Sequence, residues 1–498
     1  MSDPAAAPDP AGLHESRIAE LRAALLEATF DDAFLAECEA IAPRMLDAVR
    51  LPVVHWWLRQ QSRPAALVAR LWAYGDAVPD DRLDGVLSVG LRQALEGAGL
   101  LQRSEDGWRG GMRLVPLSGL WVASDPMHAV DPVMGPGATT DELIRAIPHQ
   151  AGRVLDVGCG AGSLALVAAA RGATEVVGVD LHPRAAAWSR FNAELNGLQL
   201  ELHTGDLTAP VRGRRFDLVL SQPPFVVKPE AVAATTYLHG GAMGDELTMR
   251  LVEQLPGVLA DGGQACVLFD SPPRPDAPLW RRLQQAHGDD AMQQLLFVTP
   301  GNSPDIQAIG YAASSHPALG ADYAQQVLRY REHLQARGIE RCEHALVVLR
   351  RVEGASGLSV TVEQPRLEGI DAAVIAETWE AIAVASRPDE HLLRTVVGLP
   401  AGAWLVQEQG TEGGELRLKL RLPAGRGGEE ELSDGAAVLV DQLREPASLS
   451  TVVQRYAAVC HAAPGDVAAG VMDFVRQSLV SGRVVAMESG NGEGADRP

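Results

Sequence analysis

VLDVGCGAG, residues 154–162, decides the fold of this chain, because strands, glycines and acids succeed it at fixed distances. An apolar strand from Arg153 to Val157 runs into Gly158, Gly160 and Gly162, and a small-residue helix from Leu164 to Ala170 comes next. A second strand, EVVGVDL, ends at Asp180; a third, LELHTGDL, ends at Asp206; a fourth, FDLVLSQPPFV, closes on Gln222-Pro223-Pro224-Phe225. Strand, glycine turn, helix, strand and acid is the order of a doubly wound nucleotide-type site. The glycines let backbone approach a ligand, and an acid at the second strand tip grips ribose hydroxyls. A lone glycine pattern is weak; four strand ends in register are strong. The fold expected is α/β, a Rossmann-like sheet.

A dehydrogenase fingerprint reads G-x-G-x-x-G and sets a pyrophosphate on a helix N-terminus. Here the order is Asp156-x-Gly158-x-Gly160-x-Gly162, with an acid two residues before the first glycine. That order resembles the first motif of class I S-adenosylmethionine (SAM) methyltransferases. The resemblance implies SAM as cofactor, with Asp156, Gly158, Gly160 and Gly162 at the cofactor turn. It places Asp180 on the ribose hydroxyls with Leu181 beside it, and Asp206 and Leu207 flanking the adenine. The stretch MHAVDPVMGPG (127–137) resembles the upstream loop that such enzymes lay over the methionine part, which nominates Asp131 and Met134.

The fourth strand tip resembles the Asn/Asp-Pro-Pro-aromatic turn of methyltransferases acting on planar nitrogens. By that resemblance Gln222, Pro223, Pro224 and Phe225 are the catalytic set. The amide oxygen and the first proline's carbonyl accept from the acceptor NH₂, and the aromatic ring packs on its plane. Orientation and a dry pocket are then the enzyme's contribution. The departure is Gln222, where Asn or Asp is usual; one more methylene moves the oxygen by roughly 1.5 Å. Nitrogen is favoured as acceptor, and oxygen stays open.

After the fourth strand, KPEAVAATTYLHGGAMGDE (228–246) is a candidate acceptor-side lid, with Tyr237, His239, Asp245 and Glu246 as contacts and His239 as a speculative base. GGQACVLFD, QQLLFVTPG and HALVVLRRV complete a seven-stranded sheet by about Val352.

At 498 residues the chain exceeds one usual core. Residues 1–13 read as a disordered tail, 14–111 as a helical, winged-helix-like domain, and 112–352 as the methyltransferase domain. Residues 353–487 read as an α+β accessory domain with a winged-helix-like end, and 488–498 as a second tail. Within the accessory domain AGRGGEEE reads as a flexible connector. The final helices loosely resemble leader-peptide recognition domains of peptide-modifying enzymes.

No apolar run approaches the ~20 residues that span a bilayer, and the Asp/Pro/Ala-rich start is not a signal peptide. The five cysteines are scattered, without a metal-ligand spacing, so no metal and a cytoplasmic setting are expected. A net charge of −21 disfavours nucleic acid, whose binding rests on basic faces. The expected partner is a small-molecule or peptide acceptor, with no membrane and a homodimer left open. The rivals are an rRNA or DNA base N-methyltransferase and a SAM-binding scaffold without turnover.

Overall fold

The structure is a computed structural model that describes residues 8–41, 43, 47–126, 129, 131–274, 277–316, 319–354, 357–409, 417–423 and 428–487. The chain divides into two compact units. One runs to Leu296 and resumes over Gly301–Val360; the other takes Phe297–Pro300 and the chain from Thr361.

The first unit is organised by one large sheet, whose strands we number in chain order. They are β1 (Arg153–Val157), β2 (Glu175–Asp180), β3 (Glu201–Thr204), β4 (Phe216–Ser221), β5 (Leu259–Ser271), β6 (Met292–Val298), β7 (Glu343–Arg351) and β8 (Ser359–Glu363). Their spatial order is β8-β6-β7-β5-β4-β1-β2-β3. β1 pairs in parallel with β2 and β4, β2 with β3, and β4 with β5, while β7 runs antiparallel to β5. Val154, Leu155, Val177, Val179, Val219 and Leu220 are buried to within a few per cent, as parallel strands covered on both faces require. The order turns back between β1 and β4, so those two strand tips flank the topological switch point where α/β sheets bind ligands.

The sheet has eight strands rather than the seven expected. SVTVE, a β-branched alternation, adds an outer strand, and the division between units falls at 360/361 rather than 352/353. The front boundary also shifts. Among the described residues six α-helices (Glu15–Ala28, Asp32–Glu39, Asp47–Arg59, Pro64–Val68, Asp80–Leu83 and Val89–Gly97) precede a hairpin of Leu101–Ser104 with Gly107–Gly110. A second hairpin, Arg113–Leu117 with Leu120–Ser124, turns on Ser118 and Gly119, both with positive φ. No compact division falls at 111/112, because that second hairpin is stitched to the sheet's own helix. Asn196 accepts from Trp121 N (2.9 Å) and donates to Trp121 O (2.7 Å), while Asn192 accepts from Ala123 N and donates to Ala123 O (2.8 Å each).

The expected tail over 1–13 is corrected for residues 8–13; residues 1–7 lie outside the described residues. Pro10–Gly12 form a 3₁₀ turn capped by Asp9, Asp9 N donates to Ala98 O, and Pro10 and Leu13 are buried. Two prolines with pre-set φ reduce the entropy lost on ordering so short a segment. The tail expected at 488–498 lies outside the described residues.

In the second unit, Trp404–Glu408, Arg417–Arg421 and Glu429–Leu432 form an antiparallel sheet. Its third strand falls on acids assigned to a flexible connector. Lys419 lies 2.8 Å from Glu408 and 3.2 Å from Glu429, so a cation on the middle strand makes strand pairing favourable for EEEL. Helices Asp434–Gln442, Leu449–Val459 and Pro464–Val480 lead to the short strand Val485–Met487, as expected. No helix among the described residues is long and apolar enough to cross a membrane.

Candidate active site

The glycine turn is built by its two acids. Gly158, Gly160 and Gly162 adopt φ of 74°, 54° and 84°, the left-handed region where a Cβ is penalised. Gly162 caps the 163–170 helix and has no side chain to satisfy its first amides. Asp156 supplies the missing acceptor from the strand, its carboxylate taking Ala165 N at 3.1 Å. Burial pushes the Asp156 carboxyl up to about 7, against the pull of that amide.

Asp180 lies on the other side of the turn, 5% exposed. One oxygen accepts from Gly160 N and the other from His182 N, both at 2.9 Å. Burial raises its carboxyl while these two amides oppose the rise. A carboxylate has about four lone-pair sites, so two directions remain for further donors. Leu181 beside it is 60% exposed, an apolar side chain left facing solvent next to the acid. Asp206 is exposed and paired with Arg250 at 2.7 Å, and Leu207 turns through a positive φ of 48° to pack on the core.

The upstream loop reaches the same place. A Cβ on Gly160 would meet the Met134 carbonyl at 3.5 Å, and one on Gly158 would meet nothing within 4 Å. The turn therefore has backbone on one side and open space on the other. Asp131, also at positive φ (47°), accepts from Thr236 N and Thr236 Oγ1 at 2.7 Å each. The loop's root is held by Asp125, which accepts from Val133 N and Trp188 Nε1 (2.9 Å each) and pairs with Arg184.

The Pro-Pro turn stands beside the glycine turn because Val157 and Ser221 are register partners, and Ser221 Oγ donates to Val157 O at 2.7 Å. Residue 222 therefore leaves its strand where residue 158 leaves the next. The Gln222 amide is held by the 138–145 helix start: Nε2 donates to Thr139 Oγ1, and Oε1 accepts from Thr140 Oγ1 at 3.4 Å. Pro223 is buried, Pro224 and Phe225 are half-buried. Behind them a Cβ on Gly240 would sit 2.0 Å from Gly244 O and 2.3 Å from Pro224 O, so the returning loop packs backbone to backbone on the turn.

His239, which pairs with Val226 just past the Pro-Pro turn, has both ring nitrogens engaged. Its Nδ1 accepts from Thr235 N at 3.0 Å, which leaves the hydrogen on Nε2, 3.0 Å from Tyr330 Oη. Burial lowers its imidazole below the usual value, helped by Lys228. Asp245 is likewise engaged, buried between Arg274, Arg282 and Ser271 Oγ, and Glu246 accepts from Met243 N at 2.9 Å. The Tyr237 ring lies 6.3 Å from that of His182, two residues past Asp180.

Several residues of this site carried no motif. Asn192, whose Nδ2 also donates to Ala161 O of the glycine turn, and Asn196 form an i, i+4 pair on one helix face, a spacing that was legible in FNAELN. His344 packs edge-on against Phe225 (6.5 Å between rings) and bridges Asp270 (2.6 Å) and Glu142 (2.8 Å), which no sequence spacing connects.

Residues 136–274 match the family described as the Methyltransferase small domain. A protein named as an N5-glutamine methyltransferase of Methanocaldococcus jannaschii is 34% identical over 24% of this chain and 61% of its own length. The release factor glutamine methyltransferase of Geobacter sulfurreducens is 35% identical over 25% of this chain and 46% of its length. The ribosomal RNA small subunit methyltransferase C of Alcanivorax borkumensis is 35% identical over 22% of this chain and 30% of its length. The match thus spans less than two thirds of each relative and about a quarter of this chain.

Proposed function

We propose, from the premise that residues 136–274 are a methyltransferase small domain of the class I type, that this protein transfers a methyl group from SAM to a planar nitrogen of a peptide or small-molecule acceptor. Three features support SAM as the group held at the β1 and β2 tips. Open space faces Gly158; Asp180 retains accepting capacity after its two amide bonds; and Leu181 is an exposed apolar face beside it. When bound, SAM supplies a methyl group on a positively charged sulfur, already activated for displacement.

The observation that carries the transfer reading is the adjacency of the Gln222–Phe225 turn to the glycine turn, fixed by the Val157–Ser221 register. Prolines at 223 and 224 remove backbone donors from the tip, so the Pro223 carbonyl can accept from a ligand with no amide competing beside it, while the Pro224 carbonyl is covered by Gly240. Phe225 and the closely packed Gly240 strip water from that side. Gln222 is tethered to Thr139 and Thr140; Gln222 Oε1 and the Pro223 carbonyl accept hydrogen bonds from the acceptor NH₂ and so orient it, and the proton displaced as the N–CH₃ bond forms passes to solvent water. Glutamine and the bases of ribosomal RNA, for which the relatives are named, both carry planar nitrogens, and the −21 charge favours the peptide class.

The test is methyl transfer from isotopically labelled SAM by the full chain, offered a glutamine-containing peptide library and, separately, bulk ribosomal RNA. Label in peptide supports the proposal, and Gln222→Ala then lowers transfer with SAM affinity unchanged. Label confined to RNA establishes the base-methylation rival instead. SAM binding with transfer to neither would make the chain a SAM-binding scaffold.

A further inference from the structure

Tyr237 presents a buried polar atom: its Oη is shielded from solvent and, among the described residues, has no hydrogen-bond partner. Leaving a buried hydroxyl unpaired costs about 1–3 kcal/mol, so such an atom marks a place where a ligand or water completes the bond. Its surroundings identify the place. The ring lies 6.3 Å from that of His182, two residues past Asp180. Burial drives the phenol far above its usual range, and Asp180, Asp131 and Asp125 add to the rise in that order. The hydroxyl therefore stays protonated and is a donor, held near Asp180 of the β2 tip and the acids of the upstream loop.

The adjacent residue is tied down. Thr236 donates from both its backbone amide and its hydroxyl to Asp131 on the upstream loop. The segment leaving β4 thus crosses past the β1 tip to reach the β2 side, and returns through His239–Gly241, which pairs with Val226–Val227. The later half of the segment is anchored twice: at Thr236 by the Asp131 clasp, and at His239 between Thr235 N and Tyr330 Oη.

We propose that residues 229–241 are a lid over the SAM cleft rather than over the acceptor, latched by Asp131 and Thr236, with Tyr237 Oη donating a hydrogen bond to an oxygen of the bound cofactor. This rests on the methyltransferase reading. In it Tyr237 is a binding residue that distinguishes an occupied cleft from an empty one, and the latch sets how fast the cofactor leaves.

The test uses the full chain and SAM alone. Calorimetry on wild type and Tyr237→Phe is paired with stopped-flow dissociation on wild type and Thr236→Val. Tyr237→Phe keeps the ring and removes only the donor, so SAM affinity falls about tenfold, as for a lost buried hydrogen bond. Its melting temperature without SAM stays level or rises, because an unpaired hydroxyl has been removed. Thr236→Val, which keeps the Tyr237 donor, quickens SAM release several-fold. Wild-type binding with Tyr237→Phe within twofold overturns the inference and leaves the methyltransferase reading standing. Absence of SAM binding by wild type overturns both.

Discussion

Asp180 is asked to do two things at once. Its carboxylate braces the glycine turn through Gly160 N and His182 N, and in the proposed function it also receives ribose hydroxyls. Asp180→Ala should therefore weaken SAM binding by about 2–3 kcal/mol, from the lost charge-assisted bonds and the turn's loosened amides. Unchanged calorimetric affinity would remove SAM from this cleft. Gly162 separates backbone need from ligand contact. At φ 84°, and with Ser189 Oγ 2.9 Å from where a Cβ would stand, Gly162→Ala should cost roughly 1–3 kcal/mol in urea unfolding without SAM present. The glycines and both acids were legible in the sequence because each answers a local backbone demand. The tether of Gln222 was not, since the threonines that hold it come from a different element.

At the scale of elements, the asparagine pair on Pro183–Asn196 joins the front hairpin to the sheet's own helix. Asn196→Ala strands the buried Trp121 amide and carbonyl, and should destabilise the first unit by about 2–4 kcal/mol, read as a lower urea midpoint. A helix face and a hairpin were each readable from spacing. Their union was not, because asparagine side chains copying a strand's hydrogen bonds leave no periodic mark. His344 belongs to the same scale. Burial lowers an imidazole, yet hydrogen bonds to Asp270 and Glu142 outweigh it and raise His344 to about 9. A folded-state pKa above the unfolded one stabilises fully below about 6.5 and is lost as pH climbs through about 9. Between those limits the wild type should lose up to about 3 kcal/mol that His344→Gln does not. Equal pH dependence of urea unfolding in both would refute that linkage.

Across the whole molecule, the two compact units predict two thermal transitions. Under the proposed function SAM at a hundred times its Kd adds about 2.7 kcal/mol to the first unit and moves only that transition. Scanning calorimetry that shows one transition, or both shifting together, would contradict this. The charge of −21 makes a further expectation: bulk RNA should bind weakly and be lost on raising salt. Retention at moderate salt, by filter binding, would favour the rRNA rival.

The sequence by itself determined the central sheet's run of strands and the glycine turn between the first strand and its helix. Continuous apolar runs specify buried parallel strands, and glycines with acids at their ends are local requirements written within a few residues. Only the tertiary structure decided the rest. An eighth strand closed the sheet from beyond the expected boundary, and the front hairpin joined the core through Asn192 and Asn196. His239 is bonded between Thr235 and Tyr330, and Tyr237 stands beside His182, two residues past Asp180. Each of those depends on which groups meet across long stretches of chain, where burial and unpaired hydrogen-bonding groups, not spacing, select the partner.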